Sequence, residues 1–141
     1  MVEYLPRSAW NARPPNAGPG NLTVSRVEGA VIHWPGTGST SVIHSQAAVA
    51  SALRGWQDYH MDTRGWSDIA YQVAVDQSGR AWTLRGLRTQ SGANGNNDVN
   101  ERYGVSERMK WVMPRSRYLL RDLATSSGEP TSQVVPAPPP P

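Results

Sequence analysis

This sequence offers few of the residue types that do chemistry: three histidines, no cysteine and a single lysine, Lys110, in 141 residues. Without a thiol, disulfides, thiolate nucleophiles and Cys-rich zinc fingers are excluded, and any metal has to be held by histidine, carboxylate and water. His33 stands out by its surroundings. In GAVIHWPGTG (29–38) it closes a short apolar run and is followed at once by a Pro/Gly turn. A histidine at a strand end is an ordinary packed residue in many proteins. Here the glycine-rich turn would leave the imidazole at the rim of a sheet with little side-chain cover, as a metal site open to substrate requires. His44 and His60 fall on one expected helix, about 24 Å apart at ~1.5 Å per residue, so they cannot both join His33.

The elements that would position His33 follow from periodicity. Residues 11–21, NARPPNAGPGN, are too rich in Pro, Gly and Asn for anything but a loop. Ala30 to His33 reads as a strand buried on both faces. From about 41 to 60, Val49, Leu53, Trp56 and His60 recur at helical spacing, with Ile43, Ala47 and Ala50 beside them. GSTS (38–41) supplies the expected cap, and Asp62 to Gly65 the stop. Ile69 to Val75 alternates large and small, which predicts a strand with Ile69, Tyr71, Val73 and Val75 on one face. Asp76 to Gly79 turns the chain into a second strand, Arg80 to Leu84, with Trp82 and Leu84 together. SGANGNNDVN (91–100) reads as a loop, and a further strand starts at Tyr103-Gly-Val105.

Four segments together resemble a known family: PRSAWNARPP (6–15), VIHW (31–34), YHMDTRGWSDIAYQVAVDQSGRAW (59–82) and the loop SGANGNN (91–97). They are similar to the zinc-dependent N-acetylmuramoyl-L-alanine amidases, the type shared by phage lysozyme-like amidases and peptidoglycan recognition proteins. The resemblance runs from about Arg7 to Val105, and GWSDIAY followed by VDQSGR is far more specific than one histidine. It implies an α/β fold, a mixed central β-sheet flanked by helices, with the C-terminal part missing or altered relative to the family. It also implies a zinc ion over one sheet edge and bacterial peptidoglycan as the partner. Such enzymes cleave the amide between N-acetylmuramic acid and the L-alanine of the stem peptide.

By matching position, the resemblance makes His33 a zinc ligand. Tyr71 becomes the residue that orients zinc-bound water or steadies the tetrahedral intermediate. Bound zinc lowers the pKa of its water to about 7 and polarises the scissile carbonyl. Trp34, Arg85 and Asn97 become groove residues for sugar stacking and peptide hydrogen bonds. On periodicity alone Tyr71 reads equally as a strand aromatic filling the core, and Arg85 as an exposed strand-end charge. Gly65, Trp66 and Asp68 read as residues that shape the bend before the strand.

The family's zinc takes two further ligands downstream, a histidine and then a Cys or Asp. No histidine follows His60 here, and Asp98, Asp122 and Glu129 match no closing motif of the family. The expected organisation is therefore an amidase-like domain over 1–105 and a divergent segment over 106–135 with a short helix around 117–124. Residues 136–141 are expected to form a polyproline II tail unable to pack. Two functions stand: a peptidoglycan hydrolase using zinc-activated water, and a non-catalytic peptidoglycan-binding module or inactive truncated amidase. With one identifiable ligand, weak zinc binding and weak hydrolysis are expected.

The net charge of +3 comes almost wholly from scattered arginines. No basic cluster, RNP-like run or helix-turn-helix pattern supports nucleic acid as a partner. No window approaches the ~20 apolar residues of a membrane span, and no charged and apolar leader pattern opens the sequence. The expectation is a chain without membrane or signal segment, acting on the cell wall in the manner of an endolysin or after export by another route. The oligomeric state is left open.

Overall fold

The computed structural model describes residues 3–18, 20–33, 45–108 and 135–136. Six strands form one mixed sheet: β1 (Tyr4–Leu5), β2 (Gly29–His33), β3 (Val73–Val75), β4 (Ala81–Thr83), β5 (Tyr103–Arg108) and β6 (Val135–Pro136). Their spatial order is β1-β4-β3-β5-β2-β6. Among these described strands only β3 and β4 run antiparallel, joined by the expected turn. The parallel core β3-β5-β2 places Val73 beside Ser106 and Ile32 beside the same residue, so the strand ends are aligned and His33 sits at the carboxyl end of β2.

Helix α1 (Gln46–Asp58) covers one face. Val49 and Leu53 project from it onto Ile69, Ala74, Trp82 and Leu84, with Trp10 from a 3-10 turn (Arg7–Trp10) completing the cluster. Both buried indoles keep a hydrogen bond, Trp10 Nε1 to Thr83 O at 2.8 Å and Trp82 Nε1 to Asp76 Oδ2 at 2.9 Å, as large amphipathic rings need when dehydrated. On the opposite face of the sheet Val73, Val75 and Ala81 pack with Tyr4 and Leu87. Among the described residues no helix is long and apolar enough to cross a membrane.

Several expectations are corrected. The helix is capped not from GSTS but by Ser45, whose Oγ accepts the Ala48 N–H at 3.1 Å; residues 41–44 lie outside the described part. Ala47 is exposed rather than on the core face, and Gln57, a polar residue at the helical spacing of Val49 and Leu53, is buried there. The strand expected over Ile69 to Val75 is confined to β3. Residues 69–72 direct their backbone groups elsewhere: the Ile69 N–H to Asp68 Oδ1, the Tyr71 carbonyl to the Arg85 N–H, and the Gln72 carbonyl to the N–H groups of Leu84 and Gly86. Alternation therefore breaks, and Ile69 joins the α1-side cluster while Val73 and Val75 face the other way.

Part of the expected loop 91–100 is helix α2 (Asn97–Arg102), because Asn96 Oδ1 caps it by accepting the Val99 N–H at 2.9 Å. The strand expected to start at Tyr103-Gly-Val105 is β5, which continues through Arg108. Pro136, expected to begin an unpaired tail, is in β6 and pairs with Ile32. An edge strand tolerates proline, which has no N–H to give to the ladder. The helix expected around 117–124 and the prolines from 137 onward lie outside the described residues.

Candidate functional site: a ring cluster beside a polar cavity

The carboxyl end of parallel strands is where open α/β sheets present ligand sites, and His33 stands there. Its ring meets Tyr71 edge-on, with ring centroids 5.8 Å apart and planes at 74°. If the two shared a site, His33 would lie within about 12 Å of the Tyr71 hydroxyl, a reach set by their need to address one carbonyl; the ring contact satisfies this. Tyr71 precedes β3 and is half-buried against the α1-side cluster. The same side chain thus packs against the core and meets His33.

A second imidazole joins them. After α1 the chain makes one π-helical turn, Tyr59–Thr63, closed by the Arg64 N–H on the Tyr59 carbonyl at 3.1 Å. Gly65, at φ +70°, then takes the left-handed conformation that favours glycine and sends the chain toward Trp66. His60 therefore reaches Tyr71, with ring centroids 5.9 Å apart, and stacks on Trp66 at 4.8 Å and 28°. The Arg64 guanidinium lies 5.2 Å from the Trp66 ring centre. Sequence reasoning held that His44 and His60 cannot both join His33, without choosing between them, and gave Trp66 a purely shaping role. The signal for both lay in the helix ending: an extended, π-wound last turn aims a residue differently from the α spacing used to place it.

In both described histidines burial disfavours the charged form. Burial lowers the His33 pKa from its ordinary value. For His60, burial first, then the charges of Arg85 and Arg64, bring it down to about 4, against an opposing pull from Asp68. Because the unfolded chain takes up this proton near pH 6.5, stability is full above that pH, falls as pH drops toward 4, and levels off below it. We expect His60 to account for about 1–2 kcal/mol of this loss, allowing for the solvent that reaches the ring. Urea midpoints at pH 7 and pH 4.5 should converge by that amount in a His60→Asn variant; an unchanged pH dependence would contradict it.

Trp66 also borders a cavity of about 380 Å³ whose other walls include Arg85, Gln90, Asn96, Asn97 and Asn100. Arg85 is no exposed strand-end charge. Its Nε donates to the Ile69 carbonyl, Nη1 to Gln90 O at 2.8 Å and Nη2 to Asp68 O at 3.4 Å, and burial lowers its pKa. A side chain at Gly92 would put its Cβ 2.9 Å from Arg85 Nη2, so glycine there makes room for the guanidinium. Asn97 is exposed on the rim, its carbonyl accepting Gln90 Nε2 at 3.2 Å. The structure thus brings His33 and Tyr71 together and Arg85 and Asn97 together, with Trp66 and His60 between the pairs. Trp34 lies outside the described residues.

Among the described residues, the zinc implied by the resemblance finds no ligand set: no group of three or more histidines and carboxylates there could hold a metal ion. His60 directs Nδ1 to the Ala70 N–H, and Asp98 is paired with Arg26 and Arg102. His44, Asp122 and Glu129 lie outside the described residues.

A mixed sheet under helix α1, with His33 and Tyr71 meeting at the end of its parallel strands, is the α/β arrangement that the resemblance to the amidase-like family implies. No family model matches the chain. It is 36% identical over 90 residues to human peptidoglycan recognition protein 3, a match covering 60% of this chain and 25% of that protein, so the chain spans about a quarter of the relative's length. Drosophila peptidoglycan recognition protein LB superposes with a TM-score of 0.77 at 21% identity, over 96% of this chain and 82% of the other. Peptidoglycan recognition protein LE, solved in complex with tracheal cytotoxin, a monomeric diaminopimelic acid-type peptidoglycan, gives 0.70 at 26% identity, over 87% and 72%. The chain is a homologue of the peptidoglycan recognition proteins and has their amidase-like fold.

Proposed function

We propose that this chain binds peptidoglycan fragments in the groove that runs from His33 and Tyr71 past His60 and Trp66 into the cavity at Arg85 and Asn97. The observation that carries the reading is the continuity of neutral rings with an amide-lined cavity that holds a cation in its wall. Rings suit the apolar faces of a sugar, amides suit peptide bonds, and the guanidinium suits a peptide carboxylate. A homologue solved with a monomeric peptidoglycan fragment supports the same ligand class.

A second reading, muramoyl-L-alanine amidase, is favoured by one observation, the approach of His33 to Tyr71. It needs metal ligands that the described residues do not supply.

The test is calorimetric titration with a disaccharide-tetrapeptide of diaminopimelic acid type, with and without chelator. Binding unaffected by chelator is expected, weakened about tenfold by Trp66→Ala, the scale of about 1.4 kcal/mol for one lost ring contact. A protein that binds neither this fragment nor sedimented peptidoglycan would overturn the proposal. Release of L-alanine amino termini that needs zinc and His33 would establish the second reading instead.

A further inference from the structure

We propose that His60 is a positioning residue: by fixing the backbone at Ala70 and the edge of the Tyr71 ring, it sets how that tyrosine is presented beside His33. The inference rests on the groove proposed above. Three observations carry it. His60 Nδ1 accepts the Ala70 N–H at 3.2 Å, which anchors the backbone one residue before Tyr71. The imidazole and the phenol meet at 63° with ring centroids 5.9 Å apart, on a tyrosine that His33 also meets edge-on. The plane of His60 is itself fixed by the stack on Trp66, whose backbone N–H returns to the His60 carbonyl at 2.9 Å.

These contacts make His60 a strut between the end of α1 and a segment outside the strand ladder, whose carbonyls are held by the 84–92 segment while the Ala70 N–H is held by His60. Residues 69–72 lie outside the strand ladder, so the sheet does not fix Tyr71 as it fixes Val73. An imidazole accepting at Nδ1 carries its proton on Nε2 and cannot rotate without abandoning the Ala70 N–H. Without the strut, the 69–70 peptide would lose the acceptor of its N–H and Tyr71 a ring neighbour. Its side chain would then divide between rotamers of similar energy, and a ligand would have to select the one beside His33.

The test compares His60→Ala, His60→Asn and His60→Gln. Asparagine places Oδ1 where Nδ1 stands and can still accept the Ala70 N–H; the amide of glutamine falls at the Nε2 position and cannot. Two readouts are needed: the ring-proton chemical shifts of His33, which report the Tyr71 ring current, and affinity for the disaccharide-tetrapeptide. His60→Ala and His60→Gln should displace the His33 shifts and weaken binding about tenfold, while His60→Asn should restore most of both. Unchanged His33 shifts in folded His60→Gln protein, or an asparagine variant no better than glutamine, would overturn the proposal. If alanine prevents folding, the asparagine and glutamine pair decides alone. Should the unsubstituted protein bind no fragment, the groove reading fails, and the His33 shifts still decide the role of His60.

Discussion

Asp68→Ala is expected to destabilise the protein by about 3–5 kcal/mol, the range for removing one partner of a buried ion pair. The carboxylate is 1% exposed and is the meeting point of three parts of the chain. Oδ2 accepts Arg7 Nη1 at 2.8 Å; Oδ1 accepts Arg7 Nη2 at 3.3 Å, Gln57 Nε2 at 2.6 Å and the Ile69 N–H at 2.8 Å. Alanine would leave the Arg7 guanidinium without its countercharge and the fully buried Gln57 amide short of an acceptor. For Gln57 this is costlier than the hydrogen bond lost, because the orphaned amide stays dehydrated, whereas Arg7 is partly exposed and keeps the Leu84 and Arg13 carbonyls. Gln57 also bridges to Arg13, accepting its N–H at 2.8 Å and donating to its carbonyl at 3.0 Å, so the loss spreads to the loop over α1. Urea denaturation should show a lower midpoint at unchanged slope. A loss under about 1 kcal/mol would mean that water enters and satisfies Arg7, and that the cluster is less closed than its geometry.

Asp76→Ala should cost a similar amount, about 3–4 kcal/mol, by a different route. Asp76 is fully buried at the β3–β4 turn. Its Oδ1 accepts the N–H groups of Ser78 and Arg80 at 2.9 and 3.0 Å, and its Oδ2 accepts Arg80 Nε at 2.5 Å and Trp82 Nε1 at 2.9 Å. One carboxylate therefore shapes the turn and satisfies an indole in the middle of the core. Gly79, at φ +78°, completes the turn. Asp76→Asn keeps one acceptor oxygen and should lose less than half as much. Amide exchange across β3 and β4 should accelerate in the alanine variant; protection equal to the parent protein would place the hairpin's stability elsewhere.

These two aspartates show which parts of the molecule were legible in the sequence. VDQSGR announced a turn because Asp, Ser and Gly are the residues that turns require, and the structure has that turn. His33 was legible because an apolar run ends on it, and Tyr71 because GWSDIAY resembles a family motif. Residues 69–72 misled, because alternation describes a strand only where the backbone bonds to neighbouring strands. There Asp68, His60 and the 84–92 segment take those bonds instead. Asn96 was hidden in a polar run whose composition says loop, although a single Asx cap is enough to start α2. His60 was misplaced because α-helical spacing was extended through a turn wound as a π-helix. The cavity at Arg85 depends on side-chain directions from three separate segments, which no local pattern encodes.

The pairing of β2 bears on how the molecule is made. Its neighbours are β5 and β6, so Gly29 finds Tyr103, and Val31 finds Val105 on one side and Val135 on the other. A growing chain emerging from the ribosome carries the His33 strand long before either flank exists, whereas β3 and β4 can close as soon as their turn is synthesised. Contacts so distant in sequence form slowly, since the intervening loop must close before any of them is rewarded. The hairpin and α1 can thus assemble first, leaving the apolar run Ala30-Val31-Ile32 as an open edge that invites pairing with another molecule. Production at low temperature or slow synthesis rate should raise the soluble yield, and lysine or glutamate in place of Val31 would trade that hazard for a weaker sheet.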